Sequence, residues 1–334
     1  MSARECIIPV FVPHLGCPNS CVFCNQRRIS GTQRPASAED VRQAVENAAA
    51  LPHNGVKRQL AFYGGSFTAV PACLQESLLS AAGECMAEGK IDSIRLSTRP
   101  DAINDTVLER LRRYGVETVE LGAQSMSDRV LELTDRGHSA LDVENAAKAV
   151  KEAGFRLILQ MMTGLPGDDD GTDIETAKKI IALRPDGVRI YPTVIVRDTE
   201  LYDMWQAGEY AEHTVEDAVR VCAKLLPMFE AAGIPVIRLG LNPTDDLSGG
   251  DAAAGAYHPA LGELVKSRIM LDKARELLKN SPHAEEVILG VHPSCISQMV
   301  GQHKMNADIL KAEFGIKELK IKPADTEKGA VTLL

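Results

Sequence analysis

Three cysteines, Cys17, Cys21 and Cys24, stand within the run CPNSCVFC at spacings of four and three residues. Thiolates on a loop this short and irregular can reach three corners of a [4Fe-4S] cubane without distortion, while the cubane calls for four anionic ligands. The iron left without a protein ligand can accept a small chelating molecule, so an incomplete cysteine set marks a catalytic cluster more than a relay. His14 lies three residues ahead of Cys17 and keeps a second geometry open, a Cys3His zinc site of the form HxxCxxxCxxC. Zinc modules usually come as paired knuckles, whereas here one loop feeds a long succession of strands, and iron with sulfide fits that context better.

The elements that must hold this loop alternate regularly. Short β-branched runs at 7–12, 59–65, 93–100, 118–125, 155–167 and 187–196 are each followed by an amphipathic or well-capped stretch. Ser37 opens one helix with a capping-box pattern, Asn104 caps another, and Gly115 and Gly154 stop two of them. Six strand-then-helix units with continuously apolar strands predict parallel pairing. The expected fold class is therefore α/β: a partial (β/α)6 TIM-like barrel with a small C-terminal α+β domain. The texture changes near residue 234, which predicts a barrel core over 1–233 and a C-terminal domain over 234–334 covering the substrate opening. IPVIRLGL at 234–241 reads as one more strand. In such barrels the working groups sit at the carboxyl ends of the strands. The cysteines, GGS, STRP, Gln124, Gln160 with GLPG, and YPT fall at just those ends.

Composition narrows the setting. With 37 basic and 46 acidic side chains in 334 residues, the formal charge of −9 provides no global attraction to phosphate backbones or anionic membranes. No run approaches the length of a membrane span, and no signal-peptide pattern opens the chain. Eight cysteines, three clustered and the rest scattered, do not form a secreted disulfide framework, so a reducing cytoplasm is expected.

At this point the residues carry a resemblance. CPNSCVFC has the CxxxCxxC form of the radical S-adenosylmethionine (SAM) enzymes. IYPTVIVRDTELYDMWQAGEY at 190–210 and HPALGELVKSRIM at 258–270, together with LGAQS and GLPG, resemble the catalytic-subunit branch of Elongator and its prokaryotic relatives. The resemblance runs over most of residues 7 to 270. It implies two cofactors, a [4Fe-4S] cluster on Cys17, Cys21 and Cys24 and SAM on the unligated iron, where one electron releases a 5′-deoxyadenosyl radical. It also implies a reduced flavodoxin- or ferredoxin-like donor. The stretch past Met270 is expected to be too short for the acetyltransferase domain of that branch.

The same resemblance assigns SAM contacts by position. Phe23 would lie by the adenine, although a lone aromatic also packs well in a core. Gly64, Gly65 and Ser66 match a GGE-like turn facing the methionine amine, with Ser66 in place of the usual Glu. Ser97, Gln124 and Gln160 would surround methionine and ribose. Arg136 matches a carboxylate-binding Arg of the coproporphyrinogen dehydrogenase branch, with Arg99 as a second candidate. Strand alternation places Glu120 inside the barrel with Gly122 and Gln124, and Arg99 or Arg136 is its expected partner. Tyr191 is expected at the substrate cavity or in packing. GDDD at 167–170, the Trp205 patch, His258, His292, His303 and Cys295 read as structural.

The expected reaction is hydrogen abstraction from an organic substrate. One expectation is tRNA modification, with Arg27, Arg28, Lys266, Arg268, His303, Lys304 and Lys311 as basic contacts. The alternative is a small metabolite or tetrapyrrole-like acid. A third reading, from a different class, is a non-catalytic zinc- or cluster-containing RNA-binding protein.

Overall fold

Strands buried on both faces need apolar residues at one parity for the helices and a compatible set at the other for the barrel interior. The first six runs form parallel strands in sequential order: β1 (Glu5–Val12), β2 (Lys57–Gly64), β3 (Ser93–Thr98), β4 (Val116–Gln124), β5 (Arg156–Thr163) and β6 (Gly187–Pro192). The computed structural model in which they are seen describes residues 5–12, 17, 21–25, 34–50, 55–241, 247–280 and 285–334. The expectations for His14, Arg27 and Arg28 lie outside those residues.

The apolar run after β6 breaks in two. β7 (Val194–Val196) leaves the main sheet and pairs antiparallel with β9 (Ala252–Gly255), while β8 (Val236–Leu239) joins β6 as a seventh parallel strand. The single strand expected over 187–196 is thus two, separated by Thr193, whose hydroxyl and N–H both bond the Thr163 carbonyl. β8 lies past residue 234 yet belongs to the barrel sheet.

Among the described residues eight helices follow the strands: α1 (Ala38–Ala49), α2 (Ala72–Ala87), α3 (Asp105–Arg113), α4 (Asp128–Leu133), α5 (Ala140–Glu152), α6 (Asp170–Leu183), α7 (Glu200–Gln206) and α8 (Val215–Ala231). Several start on side-chain caps, Ser37 with Asp40, Asn104, Ser139 with Asp142, and Thr214 with Asp217, which satisfy N–H groups that the first helical turn leaves open. Residues of one strand parity, among them Val10, Leu60, Phe62, Leu96, Leu121, Leu159 and Ile190, join Val41, Leu78, Val143 and Phe229 of the helices in one core.

α9 (Leu261–Lys279) connects two cores. Its Val265 packs in the barrel core, whereas Met270, Leu271, Ala274 and Leu278 pack with β10 (Glu286–Val291), α10 (Ile296–Val300) and α11 (Met305–Phe314). A three-stranded sheet, β11 (Glu318–Pro323) beside β10 and β10 beside β12 (Val331–Leu333), completes this second unit. The change of core therefore falls within α9, well beyond residue 234. No helix among the described residues is long and apolar enough to cross a membrane.

The opposite strand parity lines the barrel and is polar. Glu120 of β4 is 1% exposed and accepts from Arg95 Nη1 at 2.9 Å, Arg189 Nε at 2.8 Å and Nη2 at 3.0 Å, and Tyr63 Oη at 3.1 Å. Arg95 in turn donates to Gln59 and to Glu5, which Arg156 also reaches. One carboxylate thus ties together β2, β3, β4 and β6. Removing one member of a buried pair leaves the other charge uncompensated, at a cost of about 3–5 kcal/mol. Glu120→Gln is expected to lose stability of that order in urea unfolding of the anaerobically purified protein. A loss below about 1 kcal/mol would mean that water, and not the carboxylate, solvates the two guanidiniums.

Candidate active site

The cysteine loop leaves β1 and is pinned on two sides by backbone bonds. Val22 N–H donates to the Thr134 carbonyl at the end of α4, and Leu201 N–H of α7 donates to the Val22 carbonyl. Asn25 adds a side-chain bond to the Asp198 carbonyl. Cys24 N–H closes a turn onto Cys21. Phe23 packs with Ile195, Leu201, Tyr202, Met204, Trp205 and Tyr210. The Trp205 patch is therefore apolar packing, as its residues suggested, and Phe23 is its anchor in the loop.

Cationic groups face the thiols. Arg136, 7% exposed, donates through Nη1 to Cys21 Sγ at 3.3 Å and through Nη2 to the Gly122 carbonyl at 2.8 Å. Arg99 is held by Asp101 and donates to the Arg136 carbonyl. Burial pushes the Cys17 thiol up, while a Ser66 N–H bond and the charges of Arg99 and Arg136 pull it down.

Gly64 turns the chain at φ +105°, a region that favours glycine, and the next N–H, of Gly65, bonds the Val12 carbonyl. The Ser66 side chain points away from the loop: its Oγ lies 2.9 Å from Thr98 Oγ1 and accepts from Arg99 N–H. At this position the protein turns backbone, not hydroxyl, towards the cysteines.

Gln124 departs from strand alternation. The register between β4 and β5 shifts between Gly122 and Gln124, and Gln124 takes φ +65°. A bulge re-aims a side chain, and here the Gln124 amide folds beside Gly122. A Cβ built on Gly122 would lie 2.9 Å from Gln124 Nε2 and 3.4 Å from Arg136 Nη2. Glu120 and Gln124 consequently have different neighbours. The partners of Glu120 are Arg95 and Arg189, and not the expected Arg99 or Arg136, because those two belong to the loops at the strand ends while Arg95 and Arg189 sit at inward positions of neighbouring strands. Ser97 and Gln160 line the inner wall, half-buried, with no side-chain bond among the described residues. Four buried atoms at this end of the barrel also have no partner: Arg99 Nη1, Gln124 Oε1, Arg136 Nε and His138 Nδ1. Burial, with Arg136 nearby, pushes His138 down to about 4, which keeps its ring neutral.

The GLPG turn after β5 is clamped by the segment between α7 and α8. Tyr210 donates to the Gly164 carbonyl and His213 lies 3.2 Å from Thr163 Oγ1. The following acids are structural: Asp169 caps α6 and Asp170 pairs with Arg220 and Lys224. Asp173 is buried against the half-buried Asp168, within reach of its carboxyl and of the Gly164 N–H, and burial together with the charge of Asp168 pushes Asp173 up. His258 and His292 accept from the N–H groups of Ala260 and Ser294 and serve as local caps. Cys295 is buried in the C-terminal core.

Sequence reasoning missed Tyr63, Arg95, Arg189 and Arg238 as interior groups. The signal was present, since each is a polar residue at one parity within an apolar parallel strand. His138 and His213 carried no such pattern.

The comparisons fit this geometry. Residues 11–180 match the radical SAM superfamily and residues 185–270 match the radical SAM C-terminal domain. The chain belongs to the radical SAM superfamily and is a radical SAM enzyme. Its sequence is 27% identical over 290 residues to Elongator complex protein 3 of Schizosaccharomyces pombe, covering 80% of this chain and 52% of that one. It is 28% identical over 197 residues to the tRNA uridine(34) acetyltransferase of Methanocaldococcus jannaschii, covering 53% and 36%. Archaeal Methanocaldococcus infernus Elp3 superposes with a TM-score of 0.64 at 24% identity, over 82% of this chain and 64% of that chain, which shows a shared fold. The chain spans about half or less of the length of these curated relatives.

The family uses a [4Fe-4S] cluster and SAM, and the residues present fit both. Thiols beside two guanidiniums suit an anionic cluster. Among the described residues no group of three Cys, His, Asp or Glu side chains is already drawn together around a metal position, and His14, the fourth ligand of the zinc alternative, lies outside them. The orphaned donors on Arg99 and Arg136, and the orphaned acceptor on Gln124, suit an amino acid or a ribose, which offer both kinds of group.

The carboxyl pair has a pH signature. Burial and the neighbouring carboxylate raise Asp173, so the folded protein keeps a proton that the unfolded chain releases above about pH 4. Its contribution to stability is therefore full below that pH and declines as pH rises. Asp173→Asn keeps both groups within reach without the proton. It is expected to raise the melting temperature by about 2–6 °C at pH 8 and to leave it unchanged at pH 4. Equal effects at both pH values would show that the pair is not protonated in the fold.

Proposed function

We propose that Cys17, Cys21 and Cys24 hold the [4Fe-4S] cluster and that SAM fills its fourth position at the mouth of the barrel. The observation that carries this is the set of three thiols on one loop, with Cys17 and Cys21 beside Arg99 and Arg136 and the Gln124 amide next to Arg136. When bound, the cluster supplies the electron that splits SAM and releases a 5′-deoxyadenosyl radical. The chain's own residues prepare the place. Arg136 donates to the Cys21 sulfur and offers its Nε to a carboxylate. Gly64, Gly65 and the Ser66 backbone face the methionine end, Gln124, Ser97 and Gln160 take up hydroxyl or carboxylate oxygens, and Phe23 closes the apolar side. The surrounding barrel excludes water from the radical.

The substrate we propose is a nucleotide of tRNA, from which the enzyme abstracts hydrogen. Similarity to a tRNA uridine(34) acetyltransferase supports this reading. Its electron would come from a reduced flavodoxin- or ferredoxin-like protein in the cytoplasm. The unit built on α9, β10 and β11 is proposed to cover the opening of the barrel.

Anaerobic reconstitution tests the core of this proposal. The wild-type protein is expected to bind about four irons per chain, to bleach with dithionite and to form 5′-deoxyadenosine from SAM. Replacing Cys17, Cys21 and Cys24 together by Ala is expected to abolish all three. A colourless protein with one zinc, or iron retained after the triple substitution, would end it. For the substrate, filter binding of tRNA is expected to weaken at least tenfold between about 50 and 200 mM salt, and no binding at low salt would remove tRNA from consideration.

A further inference from the structure

The inner wall of the barrel carries more positive than negative charge, and the excess lies in one row. Gly122, Gln160, Arg189 and Arg238 are successive register partners across β4, β5, β6 and β8, and Tyr191 stands one inward position above Arg189. The inward carboxylates are committed elsewhere. Glu5 takes Arg95 and Arg156, and Glu120 takes Arg95 and Arg189. No carboxylate among the described residues pairs with Arg238. Its Nε and Nη2 donate to the carbonyls of Gly240 and Leu241, at 2.9 and 2.8 Å, which turns the guanidinium towards the carboxyl end of β8 and the cysteine side of the barrel.

Three donors are left facing the chamber. Arg238 Nη1 has no acceptor among the described residues. Arg189 Nη1 has only a 3.4 Å contact to Tyr191 Oη, and the Tyr191 hydroxyl, having accepted that contact, keeps its own hydrogen. Arg238 is close enough to Tyr191 for its charge to act on the phenol. A half-buried guanidinium that carbonyls hold, with no carboxylate on it among the described residues, creates a positive potential in a low-dielectric cavity.

We propose that Arg238, Arg189 and Tyr191 form a binding site for an oxyanion of the substrate, a phosphate or a carboxylate, that enters the barrel from the cysteine side. This deepens the reading of the barrel as the chamber of a radical SAM enzyme and rests on it. Arg189 is fixed by Glu120 and supplies a rigid donor. Arg238 supplies the uncompensated charge, and Tyr191 sets the height at which the anion stops. The site selects substrates by charge, whereas the cysteine loop and its neighbours act on SAM.

Calorimetric titration of the anaerobically reconstituted protein tests the site, with inorganic phosphate, uridine 5′-monophosphate, succinate and uncharged uridine as probes. Saturable binding of the phosphate probes, weakened about 10- to 100-fold in Arg238→Gln, supports the site and assigns it to phosphate. The same pattern with succinate supports it and assigns a carboxylate. Melting temperatures without ligand check that the variant folds. Should Arg238→Gln not fold, Tyr191→Phe removes only a hydroxyl and is expected to weaken binding about 3- to 10-fold. Binding of none of the anions, or equal binding by wild type and variants, overturns the site. Forming 5′-deoxyadenosine in the same preparation separates the two levels. A protein that cleaves SAM but binds no anion loses the oxyanion site and keeps the enzyme reading, and one that binds anions through Arg238 without cleaving SAM does the reverse.

Discussion

A single buried carboxylate holds the inner wall together. Glu120 receives two guanidiniums and a phenol from three other strands, and without it Arg189 would lose its carboxylate while Arg95 would keep only Glu5. Closed (β/α)8 barrels fill their interior with layers of branched apolar side chains. Here the sheet ends at β1 on one side and β8 on the other. The long polar side chains do the bridging instead, with Glu5 of β1 reached by Arg95 of β3 and Arg156 of β5. Lateral pairing of this kind ties the floor across the open sheet. Its energetic basis is compensation more than attraction, since each buried charge is costly alone and neutral only in company.

The same logic, inverted, governs the cysteine end. There the polar atoms are not all satisfied. Arg99 and Arg136 are buried and anchored through some of their nitrogens, with other donors left over, and Gln124 keeps an acceptor with no donor. Buried groups without partners oppose folding, so a protein retains them where a ligand satisfies them. The bulge at Gln124 and the absence of a Cβ at Gly122 are the backbone conditions for bringing that amide and Arg136 together. The apolar contact of Phe23 with α7 and the backbone bonds of Val22 hold the loop against this face. Floor and mouth thus divide the work: in one the carboxylates are all paired with guanidiniums, and in the other polar atoms stay open to a ligand.

Much of the fold was legible because its signals are local. Ser37, Asn104 and Ser139 cap helices through bonds spanning three residues, and the strand runs follow from β-branched content and the turns between them. The GDDD acids, the Trp205 patch and the isolated histidines read as structural for equally local reasons. Other features depend on pairs distant in sequence and could not be read. The split of 187–196 into β6 and β7 requires β9 as a partner, more than fifty residues later in the chain. The partners of Glu120 were expected to be Arg99 or Arg136, while strand order and register bring in Arg95 from β3 and Arg189 from β6. Membership of β8 in the barrel likewise follows from its pairing with β6, although the texture of the sequence changes before it.

By itself, the sequence determined the chemistry available and the kind of scaffold: three thiols at fixed spacing on one loop, and repeated strand and helix units whose apolar periodicity requires a parallel sheet with covered faces. Both are properties of short segments, set by covalent spacing and side-chain type. The tertiary structure alone decided which charges neutralise one another and which remain open. It turned the Ser66 hydroxyl to Thr98, gave Glu120 to Arg95 and Arg189, and left Arg238 without a carboxylate partner among the described residues. Electrostatic compensation depends on distances of a few ångströms between residues far apart in the chain, and only the curl and register of the whole sheet set those distances.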